Sequence, residues 1–170
     1  MRAVIQRVSK SSVKVNGKIL GQTSLGLLIL LGIEDLDNEE DVSWLVRKIT
    51  GMRIFSDAEN KMNLNIEQVG GDMLVISQFT LHASTKKGMR PSFIKAARPE
   101  KAIPLYELFV KECEKIIGKE ISTGKFGAMM KDELINDGPV TITIDSKNKE
   151  QMGYRLVLHL CFYRNEHCFF

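Results

Sequence analysis

A cluster of hydroxyl, amide and imidazole side chains follows a short apolar run, and these residue types can position an ester or move a proton. The run, residues 74–76, is rich in β-branched residues and comes directly after Gly70-Gly71-Asp72, a turn-forming sequence. This pattern predicts a buried strand. If the extended backbone continues, three polar side chains share one face of it: Gln78, Thr80 and His82.

Each polar residue of this cluster also has an ordinary structural explanation. Thr80 could be a nucleophile or a hydrogen-bond donor, but threonine at a strand end is also simply a good strand former. The backbone N–H groups of Phe79 and Thr80 could stabilise an oxyanion without any special side chain. His82 could act as a general base, although a lone histidine with no visible carboxylate partner is more often a surface residue.

A second stretch, residues 136–141, lies between two strand-like runs and contains the bond Gly138-Pro139. A bond of this kind has an appreciable cis population. An Asn-Asp-Gly-Pro sequence usually forms an ordinary turn. The functional alternative is a fixed cis bond that presents backbone carbonyls to a site, and both alternatives stay open here.

Residues 84–101 form a basic segment in which one acid, Glu100, faces six cations: Lys86, Lys87, Arg90, Lys95, Arg98 and Lys101. Pro91 and Pro99 predict a loop with at most a short helix between them. Such a run is usually a solvated face. Next to a polar strand end, however, it would equally suit a phosphate backbone.

The elements that hold these segments are mostly strands. We expect strands at residues 2–8, 25–32, 52–55, 121–122, 128–135 and 140–144, and a hairpin that turns at Asn16-Gly17. A helix should begin at the cap Asp37, with Glu40 completing a capping box. A second helix should begin near Pro104 and end at Gly118. Strands joined by short turns, with two helices inserted, favour an α+β domain over a doubly wound sheet.

Composition narrows the class of protein. The chain has 170 residues, 44% of them hydrophobic and 26% charged, which is typical of one folded domain. The longest apolar run, residues 25–33, is too short to span a membrane, and no signal peptide is visible, so the cytoplasm is the default location. Three cysteines without a Cys-x-x-Cys pair indicate reduced thiols. The histidines and cysteines of residues 159–168 have spacings that fit no common metal site.

Two segments resemble the signature motifs of the D-aminoacyl-tRNA deacylases, also called D-tyrosyl-tRNA deacylases. They are residues 77–81, Ser-Gln-Phe-Thr-Leu, and residues 136–141, Asn-Asp-Gly-Pro-Val-Thr. Residues 4–8, 53–57, 61–64 and 88–93 are similar to the family at matching places. Two long motifs in the right order make chance implausible. The resemblance implies an α+β fold with strongly bent, barrel-like β-sheets and two main helices packed on one side.

The resemblance also implies a homodimeric, cytoplasmic hydrolase that needs no metal or organic cofactor. Its substrate would be tRNA esterified with a D-amino acid, or with glycine mischarged on tRNA(Ala), and it would release the free amino acid and tRNA. In this family the Gly-Pro bond is cis and its carbonyls enter the active site of the other subunit. Gly138 and Pro139 of one protomer would thus exclude the side chain of an L-amino acid beside residues 77–80 of its partner.

The same resemblance assigns roles to single residues. The amides of Phe79 and Thr80 would form an oxyanion hole, and Ser77 and Gln78 would shape the substrate pocket. Either Thr80 or the ribose 2′-hydroxyl of the substrate would activate the attack, and we expect Thr80 to lie near the ester without being acylated. Arg7 would support the Gly-Pro element. Phe126 and Met130 would bind the terminal adenosine. The tRNA backbone would be contacted by Lys86, Lys87 and Arg90.

The C-terminal segment departs from the family, whose members commonly end soon after the strand that corresponds to residues 140–144. We therefore expect one deacylase domain at residues 1–150 and a C-terminal extension of unknown role at residues 151–170. Two other functions stay open: a non-catalytic tRNA-binding module on the same fold, and an esterase for small molecules. The presence of both motifs favours the deacylase.

Overall fold

The computed structural model describes residues 1–149. The expected C-terminal extension, residues 151–170, lies outside them, as do the histidines and cysteines at residues 159–168. In chain order, the elements are β1 (Arg2–Val15), β2 (Lys18–Thr23), β3 (Gly26–Gly32), α1 (Glu39–Thr50), β4 (Phe55–Ser56), β5 (Met62–Leu64), β6 (Asp72–Ser77), a 3₁₀ turn (Phe79–His82), α2 (Pro99–Ile117), β7 (Ser122–Thr123) and β8 (Lys131–Asp145).

The long strand β1 organises a mixed sheet. Its first half pairs with β3, its second half pairs with β2, and its other edge pairs with β8, all antiparallel. Strand β6 lies parallel to β3 and β7 parallel to β6. The Ser122 hydroxyl then donates to the Gln22 carbonyl at 2.8 Å and brings β7 against β2. The sheet is therefore nearly closed, which confirms the predicted barrel-like α+β fold.

Both helices cover the same side of this sheet. The apolar stripe of α1 and the buried face of α2 share one core with β1, β3 and β6, represented by Leu45, Phe109, Ile5, Ile29 and Val75. A side chain of this kind contributes about 1.5–3 kcal/mol when it is fully buried. The core therefore fixes the sheet whose strand ends carry the predicted site.

The start of α1 differs from the prediction. The cap is Asn38, whose side chain accepts from the amides of Glu40 and Asp41, and Asp41 completes the capping box. Asp37 instead accepts a hydrogen bond from the N-terminal ammonium of Met1 at 2.5 Å. The prediction of Asp37 and Glu40 as the capping pair is therefore wrong, because the Asp37 carboxylate binds the buried N-terminal ammonium.

The start of α2 was also predicted too late. The helix begins at Pro99 and contains Pro104. Either proline suits a first helical turn, and the longer helix also buries Ala102. Its end is as predicted: Gly118 has a φ of 74°, in the left-handed region that favours glycine.

Strand β8 runs continuously through the sequence that was predicted to separate two strands. On β1, Gln6 pairs with Thr141 and Val8 pairs with Asn136, so the residues between Asn136 and Thr141 bulge out opposite Arg7. The predicted hairpin at Asn16-Gly17 is confirmed, with φ of 49° and 79°. Within residues 1–149, no helix is long and apolar enough to cross a membrane.

Candidate active site

A pocket of about 540 Å³ lies where β6 ends. The structure brings five of the predicted site residues to its wall: Ser77, Gln78, Phe79, Phe126 and Met130. The rest of the lining is mostly apolar and includes Leu31, Ala97 and Ala102. A mostly apolar cavity with a few polar groups is the common form of a small-ligand site.

The backbone turns sharply at the mouth of this pocket. The last ladder bond of β6 runs from the Gln78 amide to the Leu31 carbonyl at 2.7 Å, and a 3₁₀ turn follows directly. Gly32 permits this turn, because a Cβ there would lie 2.9 Å from the Gln78 carbonyl oxygen. The extended face predicted for Gln78, Thr80 and His82 is therefore wrong.

The turn leaves two backbone donors without partners. The first N–H groups of a helical turn have no intrahelical acceptor, and within residues 1–149 neither the Phe79 nor the Thr80 amide has another one. Phe79 lines the pocket, whereas Thr80, the next residue, is not part of the lining. Adjacent free N–H groups at a pocket can bind an oxygen atom that gains negative charge.

The Thr80 hydroxyl is held by its neighbour. The Gln78 side-chain amide donates to the Thr80 hydroxyl oxygen at 2.5 Å. An amide donor cannot accept the hydroxyl proton, so this contact does not activate Thr80 as a nucleophile.

His82 does not belong to the pocket wall. Its side chain is 1% exposed, so the expectation of a surface histidine is wrong. Neither ring nitrogen has a hydrogen-bond partner within the described part of the chain. Burial lowers the pKa of His82 below its usual 6.5. A neutral, enclosed imidazole cannot reach the substrate as a base.

The bulge of β8 forms a separate, exposed element. The Gly138-Pro139 peptide is cis. Asn136 closes the bulge, since its Nδ2 donates to the Val140 carbonyl at 3.0 Å and its Oδ1 accepts from the Val140 amide at 3.3 Å. Arg7 lies beneath it and donates to the Asp137 carbonyl at 2.6 Å. None of these residues lines the pocket of the same chain.

Comparison with known proteins identifies the family of the chain. A family described as D-Tyr-tRNA(Tyr) deacylase matches residues 4–145. The chain belongs to this family. Proteins named D-aminoacyl-tRNA deacylase from Akkermansia muciniphila, Flavobacterium johnsoniae and Bacteroides thetaiotaomicron are 61%, 60% and 59% identical to it over 150 residues. Each alignment covers 88% of this chain and 100% of the relative. The resemblance predicted from the two motifs is thus confirmed, and the chain groups with hydrolases.

Solved structures share the deacylase fold. A c-Myc DNA unwinding element binding protein is 36% identical, with a TM-score of 0.80, and the match covers 85% of this chain and 98% of that one. A probable eukaryotic D-amino acid tRNA deacylase is 18% identical with a TM-score of 0.74, over the same shares of the two chains, and shows the likeness of fold alone.

The basic loop of this deacylase chain is exposed beside the pocket. Lys86, Lys87 and Arg90 project from a segment that Ser84 and Ser92 close by mutual backbone hydrogen bonds of 2.8 and 3.0 Å. The loop then leads to Ala96 and Ala97 in the pocket wall. The position suits contact with a substrate that extends beyond the pocket.

Sequence reasoning missed some residues that line the pocket. Asp132 is an ionisable side chain in its lining, and burial raises its pKa. Its only signal was an acid inside an otherwise strand-like run. Ala96 and Ala97 gave no signal, because small apolar residues in a basic loop resemble spacers. Within residues 1–149, no group of three or more metal-ligating side chains could hold a metal ion.

Proposed function

We propose that the protein hydrolyses the ester of D-aminoacyl-tRNA, and of glycyl-tRNA mischarged on tRNA(Ala), to free amino acid and tRNA in the cytoplasm. One observation carries the proposal: residues 77–79 meet Phe126 and Met130, far away in sequence, in one pocket at the free amides of a 3₁₀ turn. The family and the named relatives support the class of substrate.

The chemistry follows from the two free amides. Water adds to the ester carbonyl carbon, and the Phe79 and Thr80 N–H groups stabilise the oxyanion of the tetrahedral intermediate. The bond to the ribose oxygen then breaks, and that oxygen takes a proton. Since Gln78 holds Thr80 and His82 is enclosed, we assign the orientation of the water to the ribose 2′-hydroxyl of the substrate.

The terminal adenosine occupies the apolar part of the pocket beside Phe126. That ring packs edge-on against Tyr106, with centroids 5.9 Å apart. The Tyr106 hydroxyl in turn donates to the Val75 carbonyl at 2.8 Å. Phe126 is therefore held by the core and can offer a firm aromatic surface to adenine, with Met130 beside it.

Chiral selection requires a second copy of the chain. Gly138 and Pro139 are exposed on β8 and do not line their own pocket, so they can act at an ester only across a dimer. Within the described chain, β8 pairs only with β1, and Leu134 and Ile135 on it are 37% and 59% exposed. An unpaired edge with exposed apolar residues favours association. We propose that the bulge enters the partner's pocket and excludes L side chains.

The test of the activity is release of tyrosine from D-tyrosyl-tRNA and L-tyrosyl-tRNA by the purified protein, with and without a chelator. Rapid, chelator-resistant hydrolysis of the D-ester alone is expected. Hydrolysis of neither ester, with tRNA still bound, would instead make the protein a binding module on a deacylase fold.

The cross-subunit arrangement has its own test in tagged heterodimers. One chain carries Phe79→Pro, which removes an oxyanion amide, and the other carries Gly138→Ala. If the bulge acts across the dimer, the intact pocket of the Gly138→Ala chain receives the intact bulge of the Phe79→Pro chain. We expect this site to hydrolyse only the D-ester. Placing both substitutions on one chain should leave the wild-type pocket with the altered bulge and permit L-ester hydrolysis. The reverse pattern would show that the bulge acts on its own chain.

A further inference from the structure

Two exposed aromatic side chains contact each other beside the pocket. The ring centroids of Phe79 and Phe93 are 5.2 Å apart and their planes are inclined by 75°. Phe79 is 57% exposed and Phe93 is 38% exposed. The proposed hydrolysis uses only the backbone amide of Phe79, so neither ring yet has a role. We call these two residues the aromatic pair.

The backbone around Phe93 is fixed. The preceding residue, Ser92, exchanges two hydrogen bonds with Ser84, and the Phe93 carbonyl accepts from the Ala96 amide at 3.0 Å. Ala97 then donates to the Ile33 carbonyl at 2.9 Å. The ring is therefore carried by a tethered segment that continues directly into the pocket wall.

Positive charge is concentrated on the loop that carries Phe93. The same loop carries four exposed cations: Lys86, Lys87, Arg90 and Lys95. Within residues 1–149, none of them forms an ion pair with an acidic side chain. Exposed aromatic rings beside unpaired cations are the combination that binds single-stranded nucleic acid, in which bases stack and phosphates are neutralised.

We infer that the aromatic pair stacks the nucleobase that precedes the terminal adenosine of the substrate, with Phe93 as its main contact. This inference rests on the proposed function. Phe79 forms part of the pocket wall and Phe93 contacts it, so we place the preceding nucleotide at this edge of the pocket. Its base then meets the aromatic pair and its phosphate meets the basic loop. The charge on the loop favours RNA over a second copy of this chain as the occupant.

The first experiment compares a long and a short substrate. Phe93→Ala should raise KM for D-tyrosyl-tRNA about 5- to 150-fold, the range for loss of one stacked base, with kcat within about twofold of wild type. Phe93→Trp should restore KM. Both variants should match wild type on the D-tyrosyl ester of adenosine, which lacks the preceding nucleotide. Ile116→Ala is the matched control, because Ile116 is also 38% exposed but lies on α2.

The inference fails if Phe93→Ala leaves KM unchanged for both substrates, since the side chain would then make no contact with either. It also fails if KM rises equally for both substrates, since the side chain would then have a structural role only. It also fails if the variant dissociates a dimer that wild type forms, since the surface would then bind protein.

A second experiment needs no hydrolysis. A short single-stranded RNA with 2-aminopurine next to its 3′-terminal adenosine should lose fluorescence on binding wild type, and loss of that quenching in Phe93→Ala would confirm stacking. Equal quenching by both proteins would refute it. Failure of wild type to cleave either ester would overturn the proposed function alone, because the fluorescence still decides the stacking.

Discussion

The side chain of Gln78 donates a hydrogen bond to the hydroxyl of Thr80 across the 3₁₀ turn, at 2.5 Å. The bond fixes the threonine against the strand end and occupies one lone pair of its oxygen. Within residues 1–149, no group that could take the hydroxyl proton is hydrogen-bonded to it. Thr80 is therefore placed to shape the turn, while the backbone on either side of Phe79 presents the useful donors.

Thr80→Val tests whether the hydroxyl reacts. The substitution keeps the shape of the side chain and removes its oxygen, so we expect kcat on D-tyrosyl-tRNA to fall less than about tenfold. A nucleophilic threonine would instead lose about a thousandfold or more, as hydrolases do when their nucleophile is removed. Single-turnover kinetics give the chemical step, and Thr80→Ser serves as the control that keeps a hydroxyl.

Phe79→Pro and Phe79→Leu separate the amide of Phe79 from its ring. Proline removes the N–H at the first position of the turn, where its fixed φ is tolerated. We expect kcat to fall about 100- to 1000-fold, the usual cost of one oxyanion donor. Leucine keeps the N–H, so its kcat should stay within about tenfold of wild type. Equal losses in the two variants would contradict the oxyanion role.

Much of this architecture was predictable from local sequence. The apolar residues 74–76 predicted β6, and the helix predicted to follow Asp37 is α1. The site motifs were recognisable because their residues are contiguous. The short strands β4 and β7 were displaced by only a few residues from their predicted positions.

The errors have a common physical origin in long-range contacts. The 3₁₀ turn depends on the close approach of Gly32 to the Gln78 carbonyl, which strand periodicity does not encode. The continuity of β8 depends on its pairing with β1 on both sides of the bulge, where Gln6 faces Thr141 and Val8 faces Asn136. The enclosure of His82 depends on neighbours from other parts of the chain. Each contact joins residues whose local patterns give no sign of one another.

Gly138→Ala tests the bulge. A Cβ at this position would lie 2.0 Å from the Val140 amide nitrogen and 2.5 Å from the Asn136 Oδ1, so the backbone must move. We expect hydrolysis of L-tyrosyl-tRNA to rise at least tenfold relative to the D-ester. The control is Gly17→Ala in the β1–β2 turn, where nothing lies within 4 Å of the added atom but a φ of 79° disfavours alanine, so it reproduces backbone strain away from the bulge. Its D/L ratio should not change, and an unchanged ratio in Gly138→Ala would exclude a selective role for the bulge.

Neutralising the basic loop tests its contact with phosphate. Replacement of Lys86, Lys87 and Arg90 by alanine should weaken tRNA binding and make it less dependent on salt. Each phosphate contact on a single strand contributes about 0.7 to the slope of log K against log salt, so three contacts predict a loss of about 2. Binding is measured between about 50 and 200 mM salt. As a control, alanine at Lys18 and Lys111, which lie outside the loop, should leave the slope unchanged. An unchanged slope in the triple variant would mean that the loop does not contact phosphate.

His82 should make the stability of the protein depend on pH below neutrality. Burial holds its folded-state pKa below the usual 6.5, with Arg2 and the N-terminal ammonium acting in the same direction and the backbone of Gly32 and the charge of Glu34 opposing them. The unfolded chain therefore binds the proton more readily. The free energy of unfolding keeps its full value above about pH 6.5 and declines as the pH falls, by at most about 1.4 kcal/mol per pH unit.

His82→Leu should abolish this component, because leucine does not titrate and the ring nitrogens have no hydrogen bonds to lose. Denaturant unfolding of both proteins between about pH 7.5 and 5.2, above the range of ordinary carboxyl groups, gives the comparison. The wild-type curve should fall more steeply than that of the variant. Parallel curves would mean that His82 binds its proton equally well in both states, and hence that its burial does not hold it neutral.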